Sequence, residues 1–327
     1  MKGILATATA ATVIALIGAA EAKDLSLAYF MGPKHPMNAG LMTPFGEQLA
    51  KATDGSLTVK QFPGGALNSV PPKQYSVLLD GVADIVFALP GYTADAFPKT
   101  NVVGLPGVCD SALECTEALQ RARPELEKEY NAKVLAIWAN APPVLITKDR
   151  PVTKLADLDG MKVRVTSKGD VPFVEALGAS AVAQPVNVIN QNLANGVIDA
   201  IMIDPSAIGS FKLFEPANYV TPWFPGSGSA FVLLMNQDVY DDLSDEEKAA
   251  VDQISGGDLS LDAGSAYDAV AAKGLSVAEA NGVEIVDWDE GERDNVQATI
   301  DAAMRSMAAN SVGDSTIGEV MALMRGE

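Results

Sequence analysis

The sequence predicts an α/β protein built from two similar lobes. The pattern Leu-x-x-Gly-Val-x-Asp occurs twice, at Leu78–Asp84 and at Leu193–Asp199. Each copy lies between a helical pattern and an apolar strand pattern, so its Gly is placed to end the helix in the left-handed conformation. Helix–Gly–strand junctions are common in α/β domains. The repeat therefore indicates two lobes only together with the order of the other elements, and a cleft between lobes is a favoured place for a small ligand.

The N-terminal third alternates strand and helix patterns in the order of a mostly parallel sheet. Alternating apolar residues predict strands at Leu25–Phe30 and Leu57–Phe62. Between them, a helical pattern carries Leu41, Phe45 and Leu49 on one face. The helix and strand of the first repeat follow, which gives a β-α-β-α-β beginning.

Three loops of this sheet are predicted to face the cleft. In open parallel sheets, ligands bind at the loops that follow the carboxyl ends of the strands. Those loops carry His35, Ser69 and Tyr92. We therefore expect these three residues near the ligand.

The remainder of the chain predicts several crossings between the lobes. Val134–Trp138 and Val144–Thr147 form an extended path toward the second lobe, and Ser229–Met235 is a strand that could return to the first. Asp258–Asn281 is an Ala-rich helical segment interrupted near Gly274. Lobes joined by several crossings favour a hinge rather than a flexible linker.

The first 22 residues have the features of an export signal. Lys2 precedes the apolar run Gly3–Ala19, and Ala20-Glu21-Ala22 is a small-residue cleavage pattern. An uncleaved anchor is the alternative, but the run is short for a membrane span. We expect cleavage after Ala22 and a periplasmic protein.

Composition and motifs narrow the possible partners and activities. The net charge of -19 disfavours binding to nucleic acid and to anionic membranes. We also expect a monomer. The sequence contains no G-x-S-x-G, P-loop or G-x-G-x-x-G pattern, and its one histidine is His35. We expect no enzyme activity and no cofactor; an exported lyase or hydrolase that uses His35 is the weaker alternative.

The two cysteines, Cys109 and Cys115, favour a disulfide in an oxidising compartment. Two free thiols remain the alternative. A metal site is not expected, because the single histidine is far away in sequence. The acidic runs Asp241–Glu247 and Asp287–Asp294 lack the spacing of a calcium loop and are typical of solvated helix faces.

Arg164 is the most informative charged residue. It lies in the strand-like run Met161–Val165, where a charge is costly unless it is paired. One interpretation is a carboxylate-binding residue in the cleft, since guanidinium fits a carboxylate through two parallel hydrogen bonds. The other is a structural ion pair with an acidic residue, which the residues alone favour.

Several segments carry a family resemblance that extends over essentially the whole mature chain. In order they are Phe62–Leu67, Pro90–Thr93, Asp157–Val165, Glu175–Ser180, Leu193–Asp199, Ser210–Leu213 and Ala230–Asn236. Together they resemble the DctP-type solute-binding proteins of TRAP (tripartite ATP-independent periplasmic) transporters. The resemblance implies a two-lobed periplasmic binding protein, or Venus-flytrap, fold with a long helix spanning both lobes. It also implies capture of an organic-acid anion and delivery to a TRAP membrane permease.

The resemblance further implies that Arg164 is the ligand-carboxylate clamp. Lobe one is expected at 24–147 plus 231–270, and lobe two at 148–230 plus 271–327. The other candidate ligand-binding residues are Asp204, Tyr92, His35, Gln184, Asn187 and Ser69. A solute receptor for an ATP-driven importer or a sensor kinase is the binding-class alternative.

Two departures from the family pattern bear on the ligand. Pro142-Pro143 stands where many relatives place a second Arg, and Asp204 or Ile203 stands where many place an Asn. Losing a cation and an amide argues against a small, highly charged ligand. We therefore expect a monocarboxylate with a bulkier body. Asp204 could accept hydrogen bonds from hydroxyl or amine groups of this ligand.

Overall fold

The computed structural model describes residues 22–327. These residues form two α/β lobes, each built around one mixed sheet. The predicted export signal, apart from Ala22, lies outside the described residues. Within 22–327, no helix combines the length and the apolar character needed to cross a membrane.

The strands of the described chain form two large sheets and one short hairpin. In chain order they are β1 (Lys23–Ala28), β2 (Leu57–Phe62), β3 (Ile85–Ala88), β4 (Ala132–Ala139), β5 (Val144–Thr147), β6 (Lys162–Val165), β7 (Ser180–Ala183), β8 (Ala200–Ile203), β9 (Tyr219–Thr221), β10 (Ala230–Asn236), β11 (Glu284–Ile285), β12 (Ser311–Val312) and β13 (Ser315–Thr316). The first sheet has the order β2-β1-β3-β10-β4, and the second has the order β11-β9-β5-β8-β6-β7. In the first sheet β10 runs antiparallel to β3 and β4, which confirms that the chain returns to this lobe.

The helices cover the sheets and connect the lobes. They are α1 (Thr43–Ala52), α2 (Gln74–Leu79), α3 (Ala112–Leu126), α4 (Val171–Ala176), α5 (Val186–Ala194), α6 (Ser206–Ser210), α7 (Gln237–Asp241), α8 (Asp245–Ile254), α9 (Gly257–Ala271), α10 (Gly274–Ala280), α11 (Glu292–Met307) and α12 (Ile317–Arg325). A π-helical turn, Asn38–Met42, precedes α1, and 3-10 turns lie at Pro71–Lys73, Pro90–Ala96, Thr100–Gly104, Glu127–Glu129, Leu155–Leu158 and Lys168–Asp170.

The two copies of the sequence repeat have the same local structure. Gly81 and Gly196 are left-handed, with φ of 67° and 68°. The Gly81 amide donates to the Leu78 carbonyl at 3.0 Å, and the Gly196 amide donates to the Leu193 carbonyl at 3.2 Å. Each copy therefore ends its helix as predicted, at a position where a side chain would strain the backbone.

The Asp of each repeat stabilises the neighbouring parallel strand. The Asp84 carboxylate accepts from the Ser26 amide at 2.7 Å, and the Asp199 carboxylate accepts from the Lys162 amide at 2.8 Å. Both amides belong to the strand that pairs with the strand following the repeat. The motif thus joins helix termination to strand alignment in each lobe.

The chain crosses between the lobes earlier than expected. Val144–Thr147 pairs with β8 and β9 in the second sheet, so the first crossing is at 140–143 and not after Thr147. A second crossing, at 222–229, leads from β9 into β10. The expected lobe boundary was wrong because the apolar pattern of this run predicts a strand but does not indicate the sheet in which the strand pairs.

The assignment of the whole C-terminal segment to lobe two is also incorrect. Helix α11 contacts α4 of the second lobe, whereas α12 packs on α3 of the first. Ile317, Val320, Met321 and Met324 form its buried face. Burial of these side chains against lobe one is the driving force for this placement.

The long helical segment contacts both lobes. Helix α9 packs on α3 and β4 of lobe one and also contacts α6 of lobe two. The break predicted near Gly274 lies between α9 and α10. A Cβ atom added to Gly274 would lie 2.3 Å from the Pro205 carbonyl oxygen, so glycine is required for this close approach.

Candidate functional site

A cavity lies between the two lobes, where β1, β3, β6 and β8 end. Its empty volume is about 430 Å³, including the part that opens to solvent. The lining residues are Phe30, Met31, His35, Leu89, Tyr92, Asn140, Arg164, Thr166, Val186, Ile203, Asp204, Ser206, Ala207, Phe211, Ser229, Phe231 and Tyr267.

Arg164 lies in the lobe-two wall of the cavity and is 1% exposed. Its Nε and Nη2 atoms donate to the Gln184 carbonyl at 2.9 and 2.7 Å, and Nη1 donates to Thr166 Oγ1 at 3.1 Å and to the Met202 carbonyl at 3.3 Å. A guanidinium has five N–H donors. One donor of Nη2 is thus left over, while the fork formed by Nε and Nη2 is already occupied by a backbone carbonyl.

The charge of Arg164 is not neutralised by a close carboxylate. No salt bridge within 4.0 Å involves Arg164 among the described residues. Burial lowers the pKa of Arg164, and the nearby Tyr92, Asp170 and Asp204 oppose that shift. Arg nevertheless stays protonated. The structural ion pair that the residues alone favoured is absent, and the cavity wall carries a positive charge that an anion could neutralise.

Tyr92 connects the lobes beside Arg164. Its hydroxyl accepts from the Val186 amide of lobe two at 2.9 Å. Burial raises the pKa of Tyr92, while the charge of Arg164 and the hydrogen bond from Val186 lower it. The Tyr92 ring lies 6.1 Å from that of Phe30, centroid to centroid. Tyr92 therefore combines an aromatic surface with a polar contact at the cationic end of the cavity.

Asp204 is anchored to the hinge. Its carboxylate accepts from Asn140 Nδ2 at 2.7 Å, from the Ser206 amide at 3.0 Å and from the Ser206 hydroxyl. Asn140 Oδ1 in turn accepts from the Ser229 amide at 2.7 Å. Burial raises the pKa of Asp204, while these hydrogen bonds and Arg164 lower it. Asp204 thus joins both crossing segments to the cavity wall.

His35 lines the lobe-one side of the cavity as a neutral group. Its Nδ1 accepts from the Met37 amide at 3.3 Å, which leaves the proton on Nε2. Burial lowers the pKa of His35 to about 4. Its ring lies 5.8 Å from that of Phe211 in lobe two. At neutral pH His35 therefore offers a hydrogen-bond donor but no positive charge.

Three of the candidate residues do not line the cavity. Ser69 is exposed, because β2 is the edge strand and the chain after it folds back against Tyr29, whose carbonyl accepts from the Gly65 amide at 3.0 Å. Asn187 is exposed at the start of α5. The Gln184 side chain accepts from Asn192 at 2.9 Å, so Gln184 contributes through its carbonyl alone.

The aromatic lining is the main feature that the sequence did not reveal. Phe231 stacks on Tyr267 with ring centroids 5.3 Å apart and an interplanar angle of 16°. Phe30 and Phe211 add rings from the two lobes. Phe211 and Phe231 lie in two segments that carry the family resemblance, Ser210–Leu213 and Ala230–Asn236. Nothing in those segments indicates that the rings face one cavity, so their contacts in the folded chain identify them.

The cysteines lie outside this cavity. Cys109 and Cys115 form a disulfide with Cα atoms 5.0 Å apart. The Ser227 hydroxyl donates to the Cys109 carbonyl at 2.9 Å, and the Gly228 amide donates to Cys115 Sγ at 3.3 Å. The loop closed by the disulfide thus packs on the second crossing segment.

The described residues contain no group of three or more His, Cys, Asp or Glu side chains that could hold a metal ion. Four of the candidate residues, Arg164, Asp204, Tyr92 and His35, instead line one cleft. Two α/β lobes, several crossings and an enclosed cation between them define a binding protein that closes on a small ligand.

The chain belongs to the bacterial extracellular solute-binding protein family 7, or DctP family, whose model matches residues 27–311. This is the solute-binding component of TRAP transporters, and the family consists of binding proteins rather than enzymes. The resemblance inferred from the sequence motifs is thereby confirmed.

Similar proteins support the same class. A TRAP solute-binding protein from a marine metagenome, described as specific for aromatic acid ligands and solved with 3-hydroxybenzoate, is 28% identical, with a TM-score of 0.86 over 93% of this chain and 97% of that chain. A TRAP solute-binding protein from Rhodoferax ferrireducens, solved with copurified benzoate, is 25% identical, with a TM-score of 0.83 over 93% and 97%. The protein TsaT of Comamonas testosteroni, described as an outer membrane transporter protein, is 27% identical over 84% of this chain and 83% of its own length.

Proposed function

We propose that this protein captures an aromatic monocarboxylate between its lobes and delivers it to a TRAP membrane permease. The observation that carries the proposal is the Arg164 guanidinium, buried without a carboxylate partner in a cavity lined by aromatic rings. An anionic group neutralises the guanidinium charge, and a flat apolar body packs against the aromatic rings. Export to the periplasm with cleavage after Ala22 is part of this proposal.

The carboxylate binds end-on rather than across the whole guanidinium fork. The Gln184 carbonyl occupies Nε and one N–H of Nη2, so the ligand receives the remaining Nη2 donor. The Tyr92 hydroxyl, which lines the cavity close to Arg164, can donate a further hydrogen bond to it.

The charge distribution favours one carboxylate over two. Arg164 is the one Lys or Arg among the lining residues, His35 is neutral at pH 7, and Asp204 adds negative charge. Lys168, a possible second cation, pairs instead with Asp95 at 2.9 Å and is well exposed. A second buried carboxylate without a partner would cost several kcal/mol.

Ligand binding couples to lobe closure because both lobes contribute to the wall. Tyr92 and His35 come from lobe one, whereas Arg164 and Asp204 come from lobe two. A ligand that contacts both walls stabilises the closed state relative to the open one. The closed, loaded form is the species that the permease would recognise.

The aromatic preference draws on relatives as well as on the cavity. The marine metagenome protein and the Rhodoferax protein were solved with aromatic monocarboxylates. A receptor for an ATP-driven importer would use the same lobes, but the family match favours the TRAP system.

A thermal-shift screen followed by calorimetry tests this function. The panel contains benzoate, phenylacetate, butyrate, succinate and phthalate at constant salt. A ligand at 100 times its dissociation constant should stabilise the protein by about 2.7 kcal/mol. Benzoate or phenylacetate should bind more tightly than butyrate and more tightly than phthalate. Tighter binding of phthalate or succinate by more than about tenfold would contradict the monocarboxylate assignment.

A further inference from the structure

We propose that Tyr267 and Asp204 form a subsite for a hydroxyl group, so that the aromatic monocarboxylate captured here is a hydroxylated one. The inference rests on the proposed function and deepens it, because it names the second polar group of the ligand.

The Tyr267 hydroxyl lacks a protein partner. Tyr267 lies in the long helix α9, is 4% exposed and lines the cavity. Its ring is fixed by the stack on Phe231. Among residues 22–327, no protein group makes a hydrogen bond to its hydroxyl, although buried tyrosine hydroxyls usually find one. Once a ligand excludes water, an unpaired hydroxyl weakens binding unless the ligand supplies the partner.

Asp204 supplies the complementary acceptor. Its carboxylate already accepts from Asn140 Nδ2 and from the amide and hydroxyl of Ser206. A carboxylate offers about four lone-pair positions, which leaves room for a further donor. Asp204 and Tyr267 line the same cavity, and α6, which begins two residues after Asp204, contacts α9, which carries Tyr267. Burial and the charge of Asp204 both raise the pKa of Tyr267.

A hydroxyl group fits between these two residues because it can accept from Tyr267 while it donates to Asp204. An ether oxygen cannot donate. A carboxylate cannot donate either, and the charge of Asp204 repels it. The pair therefore selects for a hydroxyl over a methoxy group and over a second carboxylate.

The subsite is separate from the position assigned to the ligand carboxylate. Arg164 lies on β6 in the second lobe, whereas Tyr267 lies on α9, which packs on α3 and β4 of the first lobe. Asp204 lines the same cavity as both groups. The hydroxyl could therefore be carried by the aromatic ring or by the carbon next to the carboxylate, and matched ligands distinguish these two sources.

The test is calorimetry on the full protein with two ligand series. The first series is benzoate, 3-hydroxybenzoate, 4-hydroxybenzoate and 3-methoxybenzoate; the second is phenylacetate and mandelate. In at least one series, a hydroxylated ligand should bind about tenfold more tightly than its parent, and the methoxy compound should show no such gain. The series that shows the gain identifies the position of the hydroxyl.

The variant Tyr267→Phe assigns that preference to the subsite. It should reduce the tenfold preference to within about threefold, because the hydroxylated acid loses its partner and the parent acid no longer leaves the Tyr267 hydroxyl unpaired. Tyr130→Phe is the matched control, because Tyr130 is a buried tyrosine outside the cavity whose hydroxyl donates to Thr100 at 3.2 Å. It should leave every affinity ratio unchanged.

Two results would overturn the subsite while leaving the proposed function intact. In the first, parent and hydroxylated acids bind equally to the wild-type protein. In the second, Tyr267→Phe weakens both alike, which would place the Tyr267 hydroxyl on the carboxylate. Failure of every aromatic acid to bind, with tight binding of another ligand class, would overturn both. If Tyr267→Phe does not fold, the wild-type comparison of hydroxy and methoxy ligands decides.

Discussion

Replacing Arg164 should reduce ligand affinity and protein stability to different extents in different variants. In Arg164→Ala, the Gln184 carbonyl loses both of its guanidinium donors, and Thr166 and Met202 lose one each. Leaving buried acceptors unpaired should lower the free energy of unfolding by about 2–4 kcal/mol. The protein should still fold, because the sheets and their cores do not depend on this side chain.

In Arg164→Ala, the loss of ligand affinity should affect function more than the loss of stability does. Removing the charge that pairs with a buried carboxylate should cost about 2–5 kcal/mol of binding free energy. The dissociation constant of the ligand should therefore rise by a factor of about thirty to several thousand. Arg164→Lys should recover part of the stability, since one ammonium can donate to the Gln184 carbonyl. It should recover little affinity, because that contact draws the charge away from the ligand.

Urea unfolding measures the first effect, and calorimetry with the tightest ligand of the screen measures the second. Lys168→Ala is the control, since Lys168 is an exposed cation paired with Asp95 outside the cavity. It should change the affinity by less than about twofold. Near-wild-type affinity in Arg164→Ala, or full affinity in Arg164→Lys, would show that the ligand carboxylate binds elsewhere.

Three further predictions concern the hinge, pH and the disulfide. Gly274→Ala should lower stability by about 1–3 kcal/mol and weaken ligand binding, because its Cβ atom would meet the Pro205 carbonyl at 2.3 Å beside the cavity; unchanged unfolding and affinity would contradict the close packing. Burial raises the pKa of Asp170 from 3.8 to about 6, so between about pH 4 and 6 the unfolded chain binds fewer protons and stability falls as pH rises. Asp170→Asn should remove this fall. Between pH 4 and pH 7, urea unfolding should show the free energy of unfolding of the variant rising by about 1–3 kcal/mol relative to that of the wild type. Parallel pH profiles of the two proteins would disprove this prediction. Mass spectrometry of the exported protein should show two hydrogens fewer than the free-thiol mass, and alkylation of Cys109 and Cys115 without reductant would exclude the disulfide.

Local sequence patterns determined the elements of the fold. The left-handed conformations of Gly81 and Gly196 follow from the repeat itself, because helix termination depends on neighbours within about one turn. The burial of Leu41, Phe45 and Leu49 likewise follows from their spacing on one helical face. The importance of Arg164 was also visible, since a charge in an apolar strand requires a partner.

Tertiary structure decided what that partner is and what surrounds it. The contact between Tyr92 and Val186 joins residues 94 positions apart, and the bond from Asn140 to Asp204 spans 64 positions. Tertiary structure also placed Val144–Thr147 in the second sheet. No periodic pattern encodes such pairs, because they depend on how whole elements pack.

The same reason explains which site residues the sequence could identify. His35 and Tyr92 follow the carboxyl ends of β1 and β3, inner strands of the first sheet, so the loop rule located them correctly. Ser69 follows an edge strand, and the same rule failed there. The stack of Phe231 on Tyr267 brings together a strand and a helix from different parts of the chain. The sequence determined the lobes and the cation, whereas the aromatic wall of the cavity exists only once long-range packing has closed the lobes around it.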